Sequence, residues 1–202
     1  MDLTVAIATY GSEWWRQLAH ERPIACCERL GLRYVHVHGE TLHGARNSAL
    51  DLVESEFVVH LDGDDDLAPG FAAAMAEGTA DVRAPAVQYV NAGGANSTAK
   101  VLRVAGHQHA CAAECLAYGN WIVIGAVART DLLRRVGWQD EPLFEDWSMW
   151  LRCAQAGATF ETIPAAVYRA HARRDSRNRA PSQDARLAAH RAIAEANGVP
   201  VP

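Results

Sequence analysis

The stretch Phe57-Val58-Val59-His60-Leu61-Asp62-Gly63-Asp64-Asp65-Asp66 decides the reading of the chain. Its first half is a short apolar run of the kind that forms a strand buried on both faces. Its second half packs four carboxylates into five residues. Carboxylates at this spacing repel one another and raise each other's pKa. A divalent cation relieves that repulsion, and oxygen-only ligands suit a hard ion such as Mg²⁺ or Mn²⁺. The alternative is a solvated acidic turn that caps the following helix, near whose start Pro69 is tolerated because its missing N–H costs nothing there.

Upstream, Leu3 to Thr9 is a second buried run, broken at Gly11 and Ser12 and followed by a helix to about Leu30. Arg33 to His38 is extended, favoured by Tyr34, Val35 and Val37. Thr41 to Gly44 reads as a turn, and Ala45 to Glu54 has helical spacing. Strand, helix, strand, helix, strand predicts an α/β fold with a mostly parallel central sheet flanked by helices, Rossmann-like, in one compact domain. Ligands bind outside the carboxyl ends of strands in such sheets, which is where the acidic turn lies.

Downstream, Val82 to Val90, Lys100 to Val104 and Trp121 to Ala128 read as strands. Asp146 to Gln155 is helical, with Trp147, Trp150, Leu151 and Ala154 on one face and Gly157 to end it. Thr159 to Ile163 and Ala166 to Arg169 are short strands on either side of Pro164. A last helix starts at the cap Ser182 and stops before Gly198.

The 202 residues suit one α/β domain, with 50% apolar and 21% charged residues. The net charge of −5 gives no general reason to bind nucleic acid. Lys100 is the only lysine, and seven arginines fall between Arg169 and Arg191. That stretch reads as a solvated surface, or as a basic face that closes over a diphosphate or takes a nucleic-acid acceptor. No membrane segment is expected, the first residues do not resemble a signal peptide, and five cysteines fit a reducing compartment, so the expected location is the cytoplasm. His107, His109, Cys111 and Cys115 raise a zinc reading, but their spacing matches no common structural zinc pattern.

Three segments together resemble the family 2 glycosyltransferases of the GT-A fold. Gly44-Ala45-Arg46-Asn47-Ser48-Ala49 is similar to the family's helix start, and Phe57 to Asp65 to its strand ending in L-D-x-D-D. Phe144-Glu145-Asp146-Trp147, with Arg152, resembles E-D-x-x-x-x-x-R. Tyr168-Arg169-Ala170-His171 is similar to the family's Y-R-x-H ending. The matches cover residues 3–171, so residues 1–171 are expected to form the GT-A domain, and 172–202 an Arg-rich loop and C-terminal helix.

The resemblance implies a role for each matching residue. Asp64, with Asp62 and His171, would ligate a Mn²⁺ or Mg²⁺ bridging the donor's phosphates. Asp146 would be the general base for the acceptor hydroxyl. Thr9, Tyr10, Arg46, Asp62 and Gly63 would bind the donor. The family carries an acidic segment after the second strand, whereas this chain has Val35-His36-Val37-His38-Gly39-Glu40, so either Glu40 takes over that contact or base recognition differs. The implied reaction is an inverting, metal-dependent transfer of a sugar from a nucleotide diphosphate, a UDP-sugar first and a GDP- or dTDP-sugar second, to a hydroxyl of an unidentified acceptor. The alternatives are nucleotidyl transfer on the same fold, against which Thr9-Tyr10-Gly11-Ser12-Glu13 lacks a basic Gly-rich loop, and a non-catalytic sugar-nucleotide binding module.

Overall fold

The computed structural model describes residues 1–91, 101–102, 113–117, 119–172 and 181–200. In chain order the elements are β1 (Leu3–Tyr10), α1 (Glu13–Ala19), a π-helical turn (His20–Ile24), α2 (Ala25–Leu30), β2 (Arg33–Gly39), α3 (Leu42–Asp51), β3 (Phe57–Asp62), β4 (Asp66–Leu67) and α4 (Phe71–Ala76). Then come β5 (Val82–Asn91), β6 (Val101–Leu102), α5 (Ala113–Leu116), β7 (Val127–Arg129), α6 (Thr130–Val136), α7 (Glu145–Gln155), β8 (Phe160–Ala172) and α8 (Gln183–Ala196).

One sheet runs β2-β1-β3-β7-β5-β8-β4, with β6 on β5. Its long pairings are parallel: β1 with β2 and β3, and β5 with β8. The short pairings of β7, β4 and β6 are antiparallel. The parallel half follows from sequence. Val5, Ala6 and Ile7 of β1 and Val58 and Val59 of β3 are fully buried, as expected of strands covered on both faces. The three strands therefore end side by side, with Tyr10, Gly39 and Asp62 at one edge of the sheet.

Four local expectations are corrected. First, α3 begins at Leu42, because Thr41 caps it by accepting from the Gly44 N–H at 3.2 Å; the stretch read as a turn is the first turn of the helix. Second, of Trp121 to Ala128 only Val127 and Ala128 are in a strand. The apolar residues before them are buried as a loop: Ile122 is 1% exposed and its carbonyl accepts from Trp150 Nε1–H at 3.1 Å. Gly125 lies flat on Tyr168, where an added Cβ would stand 1.9 Å from the ring. Third, the two short strands around Pro164 are one strand, β8. Ile163 pairs with Pro85 and Val167 with Ala86, so the proline sits in a bulge and removes no ladder bond. Fourth, α6 and the two-residue β4 have no counterpart in the sequence reading, because both are too short for periodicity to register.

Cys26, Cys27 and Cys153 are buried thiols, whereas Cys115 is disulfide-bonded, a bond that the odd cysteine count did not suggest. That bond removes Cys115 as a zinc ligand, since a metal takes the thiolate. His107, His109 and Cys111 lie outside the described residues. No helix among the described residues is long and apolar enough to cross a membrane.

Candidate active site

The acidic turn leaves the carboxyl end of β3 and is bound at both ends. At its start, Asp62 Oδ1 accepts from Arg46 at 2.9 Å. The same guanidinium donates to Glu145 Oε1 at 2.8 Å, so α3 joins the end of β3 to the first residue of α7. Arg46 is buried, 3% exposed, with its guanidinium carbon 4.5 Å above the Trp138 ring. Trp138 is held in turn by Asn47, which donates to its carbonyl at 2.9 Å and accepts from its N–H at 2.8 Å. The indole N–H of Trp138 donates to His60 Nε2 at 3.1 Å. Burial pushes the His60 pKa down to about 3, so the ring is neutral and adds no charge against Arg46.

At its far end the turn is buried. Asp65 accepts from the Tyr168 hydroxyl at 2.6 Å and from the His171 backbone N–H at 2.7 Å. Asp65 is 7% exposed. Burial and the nearby carboxylates of Asp62 and Asp64 hold its pKa well above the ordinary value, against the pull of its two hydrogen bonds. Asp66 pairs with His171 Nε2 at 2.8 Å and with Arg169 at 3.4 Å. Burial raises the Asp66 carboxyl, but these partners outweigh it and the net shift is downward. Between the two ends, the Asp64 backbone carbonyl accepts from Arg22 at 2.5 Å. Gly63 allows close packing here, since an added Cβ would stand 2.8 Å from Thr9 Cγ2.

Asp146 is half-buried in the first turn of α7, next to Glu145. Its carboxylate accepts from the Trp147 N–H at 2.9 Å and bonds to Asn120. Desolvation is the largest influence on it, the Glu145 charge is second, and together they push its pKa up to about 7. Phe144, just before the helix, has a left-handed backbone (φ 56°) and is the only non-glycine residue with positive φ among the described residues. Such strain is costly and persists only where the surroundings enforce it.

The expected site residues therefore fall into distinct places. Asp62, Gly63 and Asp64 lie in the turn, and Asp146 is tied to them through Glu145 and Arg46. Thr9 is buried, with its hydroxyl 3.0 Å from both His36 Nε2 and His38 Nδ1. Tyr10 is half-buried at the end of β1, and Glu40 is exposed just past β2. Arg46 points inward onto two carboxylates. His171 reaches the turn, but its ring nitrogen faces Asp66. Of the Arg-rich stretch, Arg169 is engaged with Asp66 and Gln88, and residues 173–180 are outside the described part of the chain. Sequence reasoning missed Asn120, Trp138 and the Glu145 bond to Arg46, and no local signal marks contacts of such long range.

The oxygen-only carboxylates of Asp62 and Asp64 fit a hard cation, and the upward shift they impose on Asp65 is the repulsion such an ion relieves. Among the described residues, no three His, Cys, Asp or Glu side chains stand together as a ready-made metal cage.

Comparison with known proteins agrees with this architecture. Solved structures of S. aureus TarS share the fold. TarS 1–349 in complex with UDP-GlcNAc has a TM-score of 0.61 at 19% identity, over 96% of this chain and 65% of that one. TarS 1–349 in complex with UDP has a TM-score of 0.56 at 18% identity, over 98% and 65%. A longer TarS structure has a TM-score of 0.55 at 19% identity, over 96% and 39%. The chain thus spans just under two thirds of TarS 1–349. No curated protein sequence matches it. The profile of the family described as Glycosyl transferase family group 2 matches residues 57–183, which runs from β3 through the acidic turn and α7 to the start of α8, and the chain belongs to that family.

Proposed function

We propose that the protein transfers a sugar from a nucleotide-diphosphate donor to an acceptor hydroxyl with inversion, using Asp146 as general base and the acidic turn as the donor's diphosphate site. One observation carries the reading: a carboxylate with a pKa near 7 is tied through Glu145 and Arg46 to a second carboxylate at the mouth of the sheet. A base poised near neutral pH balances the fraction ionised against its strength as a proton acceptor. Deprotonated Asp146 accepts the hydroxyl proton as the acceptor oxygen attacks the anomeric carbon, and the nucleoside diphosphate leaves from the opposite face.

Asp64 and Asp62 would hold the divalent cation, Mn²⁺ or Mg²⁺, with His171 as a further ligand once it parts from Asp66. When bound, such an ion supplies Lewis-acid neutralisation of the leaving diphosphate. Thr9, Tyr10 and Gly63 would form the floor under the donor, and Glu40 with the His36–Thr9–His38 cluster would border the nucleobase. A UDP-sugar is the first candidate donor, because TarS, which shares the fold, was solved with UDP-GlcNAc and with UDP.

Thermal-shift screening of UDP, GDP and dTDP and their sugars, each with and without Mn²⁺, tests this reading. A ligand that binds only the folded state raises the melting temperature. The expected result is stabilisation by one nucleotide class that needs the cation and is lost in Asp64→Ala. Stabilisation by none of them, or the same stabilisation in Asp64→Ala, would overturn the assignment.

A further inference from the structure

We propose that Arg46 and Glu145 are positioning residues, a buried ion-pair relay that links the donor end of the acidic turn to the Asp146 carboxylate. The inference rests on Asp146 and the turn forming one site.

The geometry separates this arrangement from an ordinary buried ion pair. Arg46 divides its guanidinium between two carboxylates from different elements, 2.9 Å from Asp62 on β3 and 2.8 Å from Glu145 on α7. A planar fork with fixed donors can hold two acceptors at a set angle, which an ammonium cannot. The fork is itself immobilised by the Trp138 face on one side and by the Asn47 clamp on Trp138. Asp62 is the one exposed member, with 37% of its side chain accessible, whereas Glu145 is 13% exposed. A charge arriving from solvent therefore meets the relay at Asp62. Drawing Asp62 away leaves Arg46 more fully to Glu145, which mutes the negative charge next to Asp146.

The groups that face Asp146 are Glu145 and the Trp147 N–H on α7, Asn120 from the loop before β7 and Arg46 from α3. His190 of α8 stacks on the neighbouring Trp147 with ring centroids 4.0 Å apart. The Glu145 charge raises the Asp146 pKa and the Arg46 charge lowers it, the signs that a relay requires.

The test is a carboxyl ¹³C NMR titration of Asp146 in the full chain, with the resonance assigned from Asp146→Asn. Turnover is not needed, so a failed donor assay would bear on the proposed reaction and not on the relay. In Glu145→Gln, which keeps a hydrogen-bond acceptor for Arg46, the Asp146 midpoint is expected to fall by about one pH unit. In Arg46→Lys, which keeps the charge but cannot span both partners, Asp62→Asn is expected to leave the midpoint nearly unchanged. With Arg46 in place, the same Asp62→Asn change is expected to lower it measurably. Melting temperatures of all variants establish that they are folded. An Asp146 midpoint that ignores Glu145→Gln, or an Asp62→Asn shift of the same size with Arg46 or Lys at position 46, would overturn the relay.

Discussion

The two ends of the acidic turn are made of the same residue type and are held in opposite ways. Asp65 and Asp66 are turned into the protein against Tyr168, His171 and Arg169, all from β8. Asp62 faces outward, with its ion pair running back through Arg46 to α7. A run of four carboxylates therefore divides in two: the inner pair fixes the turn to the sheet, and the outer pair, Asp62 and Asp64, would present charge to the proposed ligand. The charge problem read from the sequence is solved in part by the protein itself, through Arg46, His171 and Arg169.

The largest expected effect lies on the outer side. Asp146→Asn is expected to lower turnover by roughly 10²–10⁴-fold, the usual contribution of a general base. Its melting temperature at neutral pH should not fall, because the substitution removes a carboxyl that is expensive to ionise there. The wild-type rate should rise with pH through about 7 as Asp146 loses its proton. The stability effect has the opposite sign. The folded pKa is about 7, whereas an unfolded aspartate titrates near ~3.9. Between these values the folded state holds more protons, so this group's contribution to stability falls as pH rises from about 4 to 7 and is level above. Asp146→Asn should flatten that part of the stability curve, and an unchanged curve would count against the assigned titration.

On the inner side the expected losses are of stability. Asp65→Ala leaves the buried Tyr168 hydroxyl and the His171 N–H without their acceptor, which costs on the order of 2 kcal/mol by denaturant titration. Tyr168→Phe removes one of those bonds and should cost about 1 kcal/mol. Arg169→Gln should cost least, from zero to about 1 kcal/mol, because Arg169 is 35% exposed and its contact with Asp66 is long. If Asp65→Ala instead abolished donor binding while stability held, the division between inner and outer carboxylates would be wrong.

The same division marks what could be read in the sequence. The β1 to β3 half was legible because buried strands are continuous apolar runs and the helices between them keep their period. The run at Trp121 misled because burial alone does not specify a strand: Ile122 gives its carbonyl to Trp150, and Gly125 lies against Tyr168. Pro164 reads in sequence as a break between two strands, but a bulge absorbs it. In the site, Asp62, Asp64 and Asp146 stand out by motif. The partners that separate structural from exposed carboxylates lie up to 106 residues away in sequence, as with Asp65 and the His171 N–H, and leave no local trace. Arg46 shows the same limit. Its motif marks it as a site residue, but only the fold reveals that it faces Glu145 and Asp62.

The most direct test of glycosyl transfer through the outer carboxylates is donor hydrolysis. A panel of UDP-, GDP- and dTDP-sugars, incubated with Mn²⁺ or Mg²⁺ and followed by nucleoside diphosphate release, should show slow turnover of at least one donor by the wild-type chain and none by Asp64→Ala. Hydrolysis of every donor by Asp64→Ala at the wild-type rate, or release of pyrophosphate from a nucleoside triphosphate in place of diphosphate from a sugar donor, would contradict it.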